Sequence, residues 1–244
     1  MSEILPSVRL GMILSSGNQT VEPYFRAFGP PAMGFHATRM RMGSGGRKPP
    51  GEIFSDVVHS AELLLEAGVD AIDLQATGIM MERGPDGEQE VVRAIEEATG
   101  IPSYTATQAV ITALRKLNIK NLILIHPLDE KAISKEQKYL EAVGLNVTRA
   151  FGLNSGQQSA SVPPSKWVSE AIKQDHEEGE GFFLSGSFTT MLEAVLPIEK
   201  KLGKPVVTSV QAALWMGIQY LNKKIGDNWG YDTRPKELGQ LFQG

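Results

Sequence analysis

Short apolar runs alternate with longer amphipathic stretches from one end of this chain to the other. Val8–Ser15, Ala71–Gln75, Asn121–His126, Gly181–Ser185 and Pro205–Ser209 have strand length, and most are apolar at consecutive positions. That is the pattern of strands buried on both faces. Residues 51–67 place Phe54, Val57, Ala61, Leu64 and Leu65 on one stripe at three- and four-residue spacing, which predicts a helix with an apolar face. Residues 106–117, 133–143, 166–177 and 211–223 predict helices on the same ground. So do residues 191–202, where Pro197 kinks or restarts the segment because proline lacks the helical N–H donor. Strand–helix alternation throughout predicts an α/β fold with parallel sheets. The Gly- and Pro-rich segment 43–50 and the polar segment 154–164 read as loops. The tail 226–244, with Trp229 and Tyr231, is expected to pack on the body of the protein.

The pattern also repeats. Residues 95–109 and 198–212 align without a gap, and Ile, Glu, Gly, Pro, Thr, Gln and Ala coincide at the same spacing. Each copy reads as a helix, a glycine cap, a proline-led strand ending in Thr, and a second helix opening near Gln. An apolar strand ending in small polar residues precedes each copy. We therefore expect two similar lobes made by duplication, residues 1–105 and 106–210. Residues 211–244 should form a helix and tail that return to the N-terminal lobe. Strand ends of the two lobes would then meet at one cleft, where ligands bind in such sheets.

Composition narrows the chemistry. The chain of 244 residues has a formal net charge of −4 and no cysteine. That charge makes no electrostatic case for nucleic acid or an acidic membrane as partner, and no apolar run is long enough to span a bilayer. Without thiols there are no disulfides and no thiolate chemistry. His36, His59, His126 and His176 are scattered without metal-ligand spacing, so no metal is expected. With no secretory signal pattern in MSEILPSVRL, the reading is a soluble cytoplasmic protein, with self-association left open.

Small polar residues directly after buried strands put backbone N–H groups at helix N-termini, a nest for an anionic oxygen. Ser15-Ser16-Gly17-Asn18, Ala76-Thr77-Gly78, Ser185-Gly186-Ser187 and Thr208-Ser209 are such places, although each could simply cap a helix. The candidate substrate-binding set is Ser16, Gly17, Asn18, Gln75, Gly78, Ser185, Gly186 and Gln211, the ligand being a small carboxylate. Thr77, Ser187 and His126 are the catalytic candidates. Histidine at a strand end suits proton transfer near neutrality, although a satisfied polar edge residue reads as well there. His59 and His176 look solvated, and Arg39 and Arg41 share one face of a strand opposite His36. Glu82 and Arg83 follow the Thr77 loop closely enough to overhang the cleft, with Ile79, Met80 and Met81 as an apolar wall or a buried helix start. Ser185 and Ser187 do not sit in a nucleophile elbow.

The run Leu10-Gly11-Met12-Ile13-Leu14-Ser15-Ser16-Gly17-Asn18-Gln19-Thr20-Val21-Glu22-Pro23 resembles the opening of maleate cis-trans isomerases and arylmalonate decarboxylases in the aspartate/glutamate racemase superfamily. Asp73–Gly78 with Arg83-Gly84 is similar to the first catalytic loop there, and Phe183–Ser187 with 198–215 to the second. The resemblance runs collinearly over residues 8–222. It implies two Rossmann-like lobes in pseudo-twofold relation, and a site without cofactor or metal that holds an enolate-like intermediate. It also sets the family's two cysteines at Ala76 and Gly186, or the second at Ser185 or Ser187 if the alignment slides by one residue, so thiol-based racemisation or isomerisation is not available here. Decarboxylation of a small carboxylate or carbonyl compound is the leading expectation, with Asn18, Thr77, Ser187 and the N–H groups of Gly78 and Gly186 on the substrate oxygens. A hydrolase or hydratase, a thiol-free isomerase or tautomerase, and a non-catalytic binding protein are the alternatives.

Overall fold

The computed structural model describes residues 5–41, 50–226 and 235–243; the loop reading for residues 43–49 and the placement of Trp229 and Tyr231 lie outside them. The first half runs β1 (Val8–Ser15), α1 (Val21–Phe28), β2 (Met33–Met40), α2 (Pro50–Glu66), β3 (Ala71–Gln75), α3 (Thr77–Thr99), β4 (Ser103–Thr105) and α4 (Ala106–Lys116). The second runs β5 (Asn121–His126), α5 (Glu130–Ala142), β6 (Asn146–Gly152), α6 (Pro164–Gln174), β7 (Gly181–Leu184), α7 (Val195–Leu202), β8 (Val206–Thr208) and α8 (Ser209–Ile225). Each half forms a four-stranded sheet, in the orders β2-β1-β3-β4 and β6-β5-β7-β8. Every pairing is parallel.

The same order twice is the duplication in three dimensions, and it extends to single hydrogen bonds. Thr105 and Gln108 close a capping box on α4, and Thr208 and Gln211 close the matching one on α8; each box satisfies two helix N–H groups that would otherwise lack partners. Gly100 and Gly203 end the preceding helices at the same φ of 68°. Glu96 accepts from the Ser103 N–H at 2.9 Å, and Glu199 from the Val206 N–H at 3.0 Å.

One apolar cluster joins the halves, running from Leu10 and Met12 of β1 through Ala109, Ala113 and Leu114 of α4 to Ala213 and Leu214 of α8. Fully burying each leucine contributes about 1.5–3 kcal/mol. The α4 and α8 helices pack on one another through small residues that let their backbones approach. Where α8 crosses the first sheet, a Cβ at Gly217 would come within 2.8 Å of the Tyr104 hydroxyl oxygen and 3.1 Å of the Leu10 side chain, so that approach favours glycine. A second cluster fills the other face of the first sheet beneath α2 and α3.

Several elements differ from the pattern reading. Leu65 is 43% exposed rather than core, because the buried stripe of α2 follows Val57, Ala61 and Leu64. The α5 helix begins at Glu130, ahead of the apolar stripe, since the Asp129 side chain caps it at the Ala132 N–H. Segment 191–202 is a 3-10 turn over Leu192–Ala194 followed by α7, with Pro197 in the first turn, where its missing N–H costs no bond. A 3-10 turn, Gly156–Ser161, interrupts the polar segment 154–164. The α8 helix contacts β1 and β3, but the described part of the tail packs on α7, β8 and α8. The Leu238 carbonyl accepts from Gln211 and the Gln240 N–H donates to Glu199, which holds that part of the tail to the C-terminal lobe instead of the N-terminal one.

Candidate active site

Strand ends from both lobes converge where the opening loop meets the loop after β7. The Asn18 Nδ2 donates to the Ser187 carbonyl at 2.8 Å, and the Thr20 hydroxyl donates to the same oxygen at 2.9 Å. The Asn18 Oδ1 meanwhile accepts the N–H groups of Thr20 and Val21, capping α1. Tyr24 donates to Glu193, and Lys135 pairs with Glu82 at 2.6 Å between α5 and α3. Arg39 braces the opening loop from β2, donating to the Asn18 carbonyl at 2.7 Å and pairing with Glu22.

In the first lobe, α3 opens directly from β3. Ala76, at its N-cap, offers no side-chain cap, and its carbonyl takes the N–H groups of Ile79 and Met80. Helix geometry leaves the N–H groups of Thr77 and Gly78 without an intrahelical partner. The Thr77 hydroxyl beside them is buried and has no hydrogen-bond partner. Three donors thus share one place at the positive end of a helix dipole. Met80 and Met81 are core residues rather than a cleft wall.

Behind Thr77 lies a buried polar layer that the motifs did not announce. The Thr107 hydroxyl donates to the Thr77 carbonyl at 3.4 Å. The Glu88 carboxyl, on α3, accepts from Thr105 and from Tyr139 of α5; burial pushes its pKa up against those hydrogen bonds, which pull it down. Separately, Asp73 is fully buried on β3 opposite Tyr104, accepts from the Gln75 Nε2 at 2.6 Å and keeps one carboxyl oxygen unpartnered. Desolvation lifts its pKa to about 7, against the Gln75 hydrogen bond.

The second lobe contributes a closed trio. The His126 Nδ1 accepts the Leu128 N–H at 2.9 Å, so the ring carries its proton on Nε2. That nitrogen stands 3.1 Å from the Glu136 Oε2. The Ser185 hydroxyl donates to the Glu136 carboxyl at 2.7 and 2.9 Å. All three residues are buried.

Of the residues singled out in the sequence, Asn18, Ser185, Gly186 and Ser187 lie on the loops that meet, while Thr77 opens α3 after β3 and His126 closes β5. Several do not play the expected part. Asn18 uses its amide to tie the lobes and cap α1. The Gly186 N–H is not an open donor, because it donates to the Ser209 hydroxyl at 3.1 Å. Gln211 engages both ends of its amide in the capping box and the tail, and the Gln75 amide binds Asp73. Ser16, Gly17 and Gly78 are exposed at the loop surfaces. His36 lines a groove with Glu22, Arg26 and Phe35 on the outer side of the first lobe. His59 is exposed beside Glu62. His176 is not solvated; both its ring nitrogens are buried without a partner. Arg83 lies over the Phe54 ring and near Glu90. Among the described residues no cluster of three or more His, Cys, Asp or Glu side chains is placed to hold a metal ion.

Glu136 and Glu88 carried one sequence signal. Each stands on the apolar stripe of its helix, Glu136 with Ile133 and Leu140, Glu88 with Met81, Val91 and Ile95. A carboxylate there must be buried with partners.

Paired parallel-sheet lobes whose strand-end loops meet between them define a two-lobed α/β protein. The family model for arylmalonate decarboxylase matches residues 10–242, and the chain belongs to that family. It is 25% identical over 193 residues to an arylmalonate decarboxylase of Bordetella bronchiseptica, covering 78% of this chain and 80% of that one. It is 24% identical over 229 residues to a maleate isomerase of Pseudomonas putida, covering 88% and 92%. The solved fold of unliganded arylmalonate decarboxylase superposes with a TM-score of 0.82 at 23% identity, over 97% of this chain and 99% of that one.

Proposed function

We propose that this chain is a cofactor-free, cysteine-independent enzyme that removes CO₂ from a small carboxylate through an enolate-like intermediate. The observation that carries the reading is the Thr77 hydroxyl, buried and unpartnered beside the open N–H groups of Thr77 and Gly78 at the start of α3. A buried hydroxyl without a partner costs about 1–3 kcal/mol, and a substrate oxygen bearing negative charge would satisfy it. Donors preset where charge develops stabilise an enediolate more than the carboxylate that precedes it.

Membership in the family supports an enzyme, and the kinship to a decarboxylase and an isomerase supports a small carboxylate as substrate. The lack of cysteine favours the first of the two reactions. Isomerisation of maleate by thiol addition needs a sulfur nucleophile, and the chain has none. Loss of CO₂ needs only a cradle for the electron pair left behind and a proton for the carbon. Incubation with phenylmalonate and, separately, with maleate tests the reading. CO₂ with phenylacetate is the expected result; fumarate from maleate without CO₂ from phenylmalonate would replace the lyase with an isomerase. Binding of either acid without turnover would leave a binding protein.

A further inference from the structure

We propose that Ser185 and Glu136 together deliver the proton that a thiol supplies elsewhere, with His126 positioning Glu136. The inference rests on the reading above, since it needs a carbanion to protonate.

Its ground is geometric. The Ser185 hydroxyl lies at the end of β7, next to Gly186, and 2.7 Å from the Glu136 Oε1. The His126 Nε2 is 3.1 Å from the other oxygen, Oε2, and the Leu128 N–H on Nδ1 fixes that tautomer. A hydroxyl, a carboxyl that exchanges protons with it, and a third group orienting the carboxyl form a relay of general acid–base type. The local backbone has other supports. The Ser185 backbone is already held by its N–H to the Ile125 carbonyl at 2.9 Å, and Asp129 caps α5. Burying a carboxylate under a serine and a histidine is a costly way to pack a helix when leucine would serve.

The relay has two states that differ by one proton. With Glu136 ionised, Ser185 and His126 both donate to it across the distances given above. With Glu136 protonated on Oε1, that proton is donated to the Ser185 oxygen, and the serine O–H turns outward. In the reaction the bond from the α-carbon to one carboxyl breaks, and its electron pair remains on the enediolate as CO₂ leaves. The α-carbon then takes the Ser185 proton while the serine oxygen takes the Glu136 proton. Glu136 ends as the carboxylate, and water returns one proton to it after product release. The sum is a dicarboxylate and one proton giving a monocarboxylate and CO₂.

Two assays on purified full-length protein test this: CO₂ release from phenylmalonate, and exchange of the α-hydrogens of phenylacetate for deuterium in D₂O. Glu136→Gln keeps the shape and can accept from His126 through its amide oxygen while its amide nitrogen donates to the Ser185 oxygen, but it cannot carry the proton. We expect kcat to fall by roughly a hundredfold or more, KM to stay within about twofold, and exchange to fall in parallel. Glu136→Asp should recover part of the loss. Wild-type kcat in Glu136→Gln, with CO₂ still released, overturns the relay and leaves the decarboxylase reading standing. Exchange without CO₂ release by the wild-type protein removes that reading and keeps the relay. Neither activity in the wild-type protein removes both. If Glu136→Gln does not fold, Ser185→Ala decides alone, since it leaves Glu136 and His126 in place: wild-type turnover there overturns the relay.

Discussion

The Asn18 amide in the first lobe is hydrogen-bonded to the Ser187 backbone carbonyl in the second at 2.8 Å. One side chain thus caps α1 and fixes the distance between the two loops that make the cleft. Asn18→Ala removes the cap and the bridge together. It should lower unfolding stability by about 1–3 kcal/mol, read as a shifted urea midpoint. Asn18→Asp keeps the acceptor for the cap but sets a carboxylate against the Ser187 carbonyl. It should preserve α1 while weakening substrate binding, seen as a raised KM.

Thr77 offers the opposite trade. Thr77→Val removes a buried hydroxyl that has no partner in the free protein, so stability should hold or rise in chemical denaturation. Turnover of phenylmalonate should fall by about a hundredfold. Wild-type turnover in this variant would refute the role assigned to Thr77.

Asp73 sets a pH dependence of known sign. Burial raises its pKa to about 7 in the folded chain, above the value of about 3.9 that an unfolded carboxyl has. Between those values the folded state holds more protons than the unfolded one, so this group's stabilising contribution, complete below about pH 4, falls as pH rises and is lost above about pH 7. Asp73→Asn abolishes that slope. Urea midpoints of variant and wild type should agree near about pH 4, and the variant should be the more stable at about pH 8.

Gln211 separates structure from catalysis. Its amide closes the capping box of α8 and holds the Leu238 carbonyl of the tail. Gln211→Ala should cost about 1–2 kcal/mol in thermal or urea unfolding and leave kcat and KM unchanged. A KM raised tenfold would restore it to the substrate site.

Much of the fold was legible in the chain. Buried parallel strands read as unbroken apolar runs, so β1, β3 and β5 stand where the runs stand. The repeat around Gly100 and Gly203 disclosed the duplication because a left-handed cap and a capping box each demand particular residues. The exposed β6 and the short α1 lack such a run, and the pattern gave them no mark. The candidate site was legible as loops but not as partners. Asn18, Gly186 and Gln211 have the right chemistry to hold a carboxylate, and only tertiary contact shows that other atoms already occupy it. Glu136 is far from the motif loops in sequence, and packing of α5 against β6 and α3 is what brings it to Ser185.

The backbone at Gly186 bears on how this lineage could change. Its φ is 102°, and a Cβ there would meet Pro127 at 3.2 Å; a side chain in that conformation costs about 1–3 kcal/mol. Ala76, with φ of −139°, takes a side chain freely. The two positions at which the resemblance sets the family's thiols are therefore unequal doors. The backbone at residue 76 suits any side chain, whereas residue 186 would strain with one, so laboratory evolution toward thiol chemistry should begin at residue 76.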